Sequence, residues 1–257
     1  MDGKSWRMGR IFAQDGRAVI LPIDHGISLG EVDGLKDPLN TLRKFLRLPL
    51  DGILMTYGLN AALDKDLLGR NAPARILTAD TFYAEGGELH YEVLFEAETA
   101  VREGFDALKV ILFWDQPPSP RAHVVRRISQ LIVQAHQRGV PVMVEPTFFD
   151  MSCASPDKLA DAVRVAFEIG ADMLKVPYPG DFDVLAQWVR AYPVPVLLLG
   201  GSVKASKDAI VNLVSRALKA GISGIVMGRN VWNRPNFEGV ELMKHLLDLV
   251  HGDNQCN

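Results

Sequence analysis

Short apolar runs alternate along the chain with longer stretches in which apolar residues recur at helical spacing, the pattern of strand–helix units repeated around a parallel sheet. Eight runs read as strands: 18–24 (AVILPID), 52–58 (GILMTYG), 76–80 (ILTAD), 107–113 (ALKVILF), 141–146 (PVMVEP), 173–178 (MLKVPY), 195–200 (PVLLLG) and 224–228 (GIVMG). The segments between them predict helices over 38–47, 60–67, 92–103, 120–138, 157–169, 181–191, 205–220 and 236–251, several opened by proline or a capping residue, as in Ser155-Pro156-Asp157. Eight of each in alternation predict an α/β fold closed as one (β/α)₈ TIM barrel rather than an open doubly wound sheet. A partial repeat agrees: GFDALKV at 104–110 and GADMLKV at 170–176 each end a helix with glycine and set a lysine at the same point of the next strand.

Composition narrows the class. A chain of 257 residues, 48% hydrophobic and 23% charged, suits a single domain over 1–257, with a short polar tail from about residue 252. The net charge of −3 argues against nucleic acid or an anionic membrane as partner. Two cysteines, Cys153 and Cys256, do not make a disulfide framework, and the polar first residues do not make a secretory leader. No run of eighteen apolar residues occurs. The expectation is a cytoplasmic protein, and barrels of this kind often form homo-oligomers.

Barrel active sites form at the carboxyl ends of the strands, where a packed core would not choose polar groups. Asp24 with His25, Lys109, Glu145 and Lys175 stand there. Residues two apart on a strand share a face, so if Lys175 points inward the repeat turns Lys109 inward too. Buried charges must pair or change protonation, and two lysines with two carboxylates look like a reaction centre. A lysine among apolar neighbours beside a second cation favours its neutral amine, a nucleophile toward ketones. Glu145 is the best placed candidate for the acid/base, with Asp24 as assistant. Two plainer readings stay open: Lys175 could extend to solvent, and Glu145 could be only an ion-pair partner.

A second constellation, LLLGGSVKAS (197–206) and IVMGRNVW (225–232), follows the last two strands, where barrels commonly hold phosphate. Gly200, Gly201 and Gly228 would let main-chain N–H groups approach an anion, with Ser202 and Arg229 as side-chain donors. The six histidines lack the spacing of a zinc site, so no metal or other cofactor is expected. Trp114 reads equally as a site wall or a rim contact, Tyr178 as outward-facing, and Phe148 and Phe149 as core or lid.

With these residues in place, the chain resembles the class I aldolases of the DeoC/LacD superfamily. ILPIDHG, GADMLKVPYPGD, LLLGGSVK and VMGRNVW are similar to the opening strand, Schiff-base strand and phosphate site of archaeal-type fructose-bisphosphate aldolases. The resemblance implies that Lys175 is the Schiff-base lysine and that Gly200, Gly201, Gly228 and Arg229 hold phosphate. Those enzymes carry a tyrosine acid/base on the fifth strand, whereas Thr147 stands near that point here. DALKVILFWD and VMVEPT instead resemble the tagatose-bisphosphate and sulfofructose-phosphate aldolases, with a lysine on the fourth strand and a glutamate on the fifth.

The function so implied is metal-independent, reversible cleavage of a ketose phosphate, the expected partner, to dihydroxyacetone phosphate and an aldehyde. An aminodideoxyheptulosonate-type synthase and a phosphodiketone thiolase remain alternatives on the same scaffold. A non-catalytic phosphosugar-binding regulator is the alternative of another class, and has little use for two interior lysines facing a glutamate.

Overall fold

The computed structural model describes residues 2–69, 71–86, 88–201, 206–235 and 237–252. Eight parallel strands close into a TIM barrel: β1 (Ala18–Pro22), β2 (Gly52–Met55), β3 (Ala74–Thr78), β6 (Ala107–Phe113), β7 (Val142–Thr147), β8 (Met173–Val176), β9 (Val196–Leu199) and β10 (Gly224–Val226). Round the ring they run β1-β10-β9-β8-β7-β6-β3-β2. The two missing numbers are β4 (Asp80–Glu85) and β5 (Glu88–Val93), an antiparallel hairpin above the barrel mouth.

Each barrel strand is buried on both faces, which explains why its sequence reads as a continuous apolar run. Val19, Leu21, Ile53, Leu77, Leu108 and Val110 face the helices, while Ile20, Leu54, Ile76, Ala107, Met143 and Met173 fill the interior. The outer layer comprises α3 (Pro38–Phe45), α4 (Tyr57–Ala62), α5 (Ala97–Arg102), α6 (Pro118–Gln137), α7 (Pro156–Glu168), α8 (Phe182–Ala191), α9 (Lys207–Lys219) and α11 (Glu238–His251). Two four-residue helices, α2 (Gly26–Leu29) and α10 (Arg229–Trp232), lie on the mouth side after β1 and β10. Among the described residues, no helix is long and apolar enough to cross a membrane.

Three expectations needed correction. The strand at 52–58 ends at Met55, because the Thr56 hydroxyl accepts from Leu59 N and caps α4. That helix and a 3-10 turn at Asp64–Leu67 replace the expected helix over 60–67. The helix at 92–103 starts only at Ala97, because residues before it alternate between faces in the hairpin, whose turn places Gly86 at φ +58°. The tail at 253–257, with Cys256, lies outside the described residues.

An unexpected element closes the other end. Helix α1 (Gly3–Ile11), capped by the Asp2 carboxylate accepting from Ser5 N, sits across the amino-terminal mouth. Its Ile11 is fully buried against the interior set, and Met8 and Phe12 pack beside it. Lys4 pairs with Asp172 at 2.8 Å, Arg10 with Asp106 at 2.9 Å, and Arg7 Nη1 donates to Gly139 O at 3.0 Å. The plug leaves the carboxyl end as the barrel's open mouth. Ile11→Ala removes the plug's buried side chain and is expected to cost about 2–5 kcal/mol of stability in chemical unfolding; a loss near zero would mean that α1 does not seal the barrel.

Candidate active site

The alternation that sends Ala107, Met143 and Met173 into the barrel floor brings Lys109, Glu145 and Lys175 into the layer above it. Thr78 pairs in register with Lys109, Ile111 with Glu145, and Lys175 with Leu197, so the polar layer crosses neighbouring strands at similar depth. Asp24 enters from the end of β1. Lys175 Nζ donates to Glu145 Oε2 at 2.8 Å, and Lys109 Nζ stands 3.2 Å from the same oxygen. Lys109 also lies 3.8 Å from Asp24 Oδ2, which accepts from the Thr78 hydroxyl at 2.6 Å. The four residues singled out in the sequence thus form one cluster.

Burial would neutralise each of these groups in isolation, and their mutual attraction reverses this. Burial works against the Lys109 ammonium, but Glu145, Asp80 and Asp24 outweigh it and raise its pKa above the ordinary lysine value. Burial likewise pushes Glu145 up, while Lys175 and Lys109 pull it further down and hold it as a carboxylate. Asp24 follows the same pattern, with Lys109, His25, Lys175 and the Thr78 bond opposing burial. Lys109, with its side chain only 2% exposed, is a fixed interior cation. Lys175 and Glu145 both line a cavity of about 630 Å³ that opens at the mouth.

Asp80, at the end of the ILTAD run, belongs to this cluster and was missed. Its place was legible, because Ile76, Thr78 and Asp80 alternate on one face. One carboxylate oxygen accepts from Ile111 N; the other has no hydrogen-bond partner. The buried Tyr91 hydroxyl lies against this carboxylate without hydrogen-bond geometry, and burial followed by Asp80 pushes the phenol well up. Burial raises Asp80 itself to about 6, against the attraction of Lys109.

The remaining expectations divide. His25 lines the cavity, 3.5 Å from Asp24 Oδ1 and edge-on to Trp232; burial lowers its pKa, which favours neutral imidazole. Gly201 and Arg229 also line it. Gly228 also has a packing role, since a Cβ there would stand 2.5 Å from Pro22 O. Gly200 accepts a hydrogen bond from the Asn230 amide, and a Cβ would meet Met227 at 3.2 Å. Ser202 lies outside the described residues. Trp114 stacks on Arg121 at 4.5 Å and lines an outer groove, not the site. Tyr178 packs outward on Phe182, while Phe148 and Phe149 both reach the cavity. Among the described residues no group of His, Cys, Asp or Glu is arranged to hold a metal ion.

The model of the DeoC/LacD family aldolases matches residues 18–234, from the first barrel strand to just beyond the last. The chain belongs to the DeoC/LacD family of aldolases. As a member of it, the protein is an enzyme, a carbon–carbon lyase of the class I, Schiff-base kind. A class 1 fructose-bisphosphate aldolase of Thermoproteus tenax is 29% identical, covering 95% of this chain and 93% of the relative. A 2-amino-4,5-dihydroxy-6-oxo-7-(phosphonooxy)heptanoate synthase of Streptomyces griseus is 28% identical over 96% of this chain and 90% of its own. Among solved structures, an archaeal fructose-1,6-bisphosphate aldolase with its catalytic lysine bound to the substrate as a carbinolamine superposes with a TM-score of 0.83. It is 26% identical and covers 96% of this chain and 99% of that one.

Asp80 gives this aldolase a measurable signature. Unfolded, the carboxyl ionises near its ordinary 3.8; folded, at about 6. Its contribution to stability is therefore complete below the lower value and is lost as pH rises through the upper one. Asp80→Asn, which keeps an acceptor for Ile111 N–H, is expected to flatten that fall when urea unfolding is compared between about pH 4 and about pH 7. Parallel stability curves for the two proteins would refute the assignment.

Proposed function

We propose that the enzyme cleaves and forms the C3–C4 bond of a ketose 1-phosphate, exchanging it with dihydroxyacetone phosphate and an aldehyde through an iminium on Lys175. The observation that carries the reading is the shared oxygen of Glu145, against which Lys175 and the fixed cation Lys109 both lie at the cavity floor. Glu145 is a carboxylate here and so is poised to accept a proton from Lys175. The freed amine adds to the C2 ketone; loss of water from the carbinolamine leaves the iminium.

In cleavage, Glu145 takes the proton of the C4 hydroxyl as the C3–C4 bond breaks. The bond's electron pair moves into the iminium to give an enamine, and the aldehyde departs. Protonation at C3 and hydrolysis by water release dihydroxyacetone phosphate and return the amine. Lys109 keeps Glu145 ionised between turnovers, and Asp24, oriented by Thr78, holds a substrate hydroxyl. Gly201 and Arg229 at the ends of β9 and β10 bind the phosphate, with Gly200 and Gly228 shaping the loops that present them. The exposed thiol of Cys153 fits a reducing compartment such as the cytoplasm.

A synthase that joins a phosphosugar fragment to an amino-acid-derived aldehyde is the second reading, supported by a Streptomyces relative about as similar as the Thermoproteus aldolase. Both readings use the same lysine and differ in the acceptor. Borohydride added to enzyme with dihydroxyacetone phosphate should leave one reduced adduct on Lys175 by mass spectrometry. Glu145→Gln should lower kcat by about 10²–10⁴-fold while an adduct can still be trapped. An adduct on Lys109 instead, or unmodified protein during turnover, would overturn the assignment.

A further inference from the structure

The cavity is polarised from one side of the barrel to the other. Arg229 and Gly201 follow β10 and β9, whereas β6 and β3 stand four places round the ring from them, across the mouth. That far wall is built from Ile111 and Phe113 on β6, Phe82 on β4, and Phe148, Phe149 and Met151 after β7. The rings of Phe82, Phe113 and Phe149 meet edge-to-face, with centroids 4.9, 5.9 and 6.3 Å apart. Phe149 remains 42% and Met151 60% exposed, so apolar surface there faces the cavity and solvent rather than a packed core.

The Ser28 and Thr81 hydroxyls beside this wall are already engaged. The Thr81 hydroxyl donates to Ile27 O at 3.0 Å, so Ser28 is the donor in its 3.1 Å contact with Thr81; Ser28 Oγ accepts in turn from Phe82 N. Asp115 is held by the backbone N–H groups of Phe149 and Asp150, which fixes the loop carrying the aromatic residues. Among the described residues lining the cavity, the cationic side chains are Lys109, Lys175 and Arg229, besides the histidine His25. The two lysines are bound to carboxylates at the floor, and Arg229 lies on the opposite side.

We propose that the aldehyde partner is apolar or aromatic and carries no phosphate. This rests on the aldol reading above and gives it a substrate class. With its phosphate at Arg229 and its C2 on Lys175, a ketose 1-phosphate directs the fragment beyond C3 toward β6 and β4. A second phosphate there would lose its hydration against phenyl rings, with the Asp80 carboxylate nearby and no cation on that side among the described lining residues to replace it, and sugar hydroxyls would find the Ser28 and Thr81 hydroxyls already bonded. An alkyl or aryl chain would replace water on those rings and lose no hydrogen bond.

The test uses the full chain with dihydroxyacetone phosphate as donor, and compares phenylacetaldehyde and hexanal with glyceraldehyde 3-phosphate and glycolaldehyde as acceptors. In each addition the enamine carbon attacks the aldehyde carbon, Glu145 delivers a proton to the new alkoxide, and water hydrolyses the iminium. The apolar acceptors are expected to show kcat/KM at least about tenfold above that of glyceraldehyde 3-phosphate. Phe149→Ala, at an exposed position, should lower the phenylacetaldehyde-to-glycolaldehyde ratio by about tenfold. A preference for the phosphorylated aldehyde, equal rates, or an unchanged ratio in Phe149→Ala would overturn the inference while a Lys175 adduct with dihydroxyacetone phosphate leaves the aldol reading standing. Failure to trap that adduct on any lysine would remove both.

Discussion

The site depends on charge balance in a buried space. Lys109 is almost completely enclosed, and an ammonium there persists only because Glu145, Asp80 and Asp24 surround it. Removing Glu145 would take the nearest carboxylate from both buried lysines and leave Lys109 with Asp24 at 3.8 Å, a costly state. The arrangement therefore works as a unit: Lys109 fixes the ionisation of Glu145, and Glu145 fixes the position of the Lys175 amine. Its members come from β6, β7 and β8 and from the segments that follow β1 and β3, so only the closed barrel brings them together.

Below that layer the barrel is apolar. Small and flexible side chains, Ala18, Ala74, Ala107, Met143 and Met173, fill the narrowing interior, and α1 covers it. The low polarisability of this floor strengthens the electrostatic interactions above it. Gly224 belongs to the same construction: it sits opposite Ala18 in register, where a Cβ would fall 1.9 Å from the Ala18 carbonyl oxygen. A side chain at that point would force β1 and β10 apart and open the seam of the barrel.

Most of this was legible from the chain. Strands buried on both faces announce themselves as apolar runs, and the repeat at Lys109 and Lys175 encoded a shared facing before any contact was known. What failed did so for local reasons. The hairpin after β3 presents alternating polar residues with one face exposed, so DTFYAE and ELHYEV resemble the approach to a helix in composition. Helix α1 is mostly polar and touches the core through few residues, which makes its periodicity faint. Asp80 escaped notice because its role comes from Ile111 and Lys109, more than 25 positions later. Gly228 and Gly200, taken from sequence as anion contacts, also have a packing duty that no local pattern reveals.

The bond from Ile111 N to the Asp80 carboxylate has one more implication. Pairing between β3 and β6 stops at Thr78 and Lys109, and the chain then leaves the wall; the Asp80 side chain supplies the acceptor that a continuing strand's carbonyl would have given. With Ser28 bracing Thr81 and Phe82 from the other side, the departure point is stitched on both flanks. The hairpin is thereby anchored at its root while Ala84, Glu85 and Glu88 near its far end stay exposed, so changes of side chain there leave the staves beneath untouched.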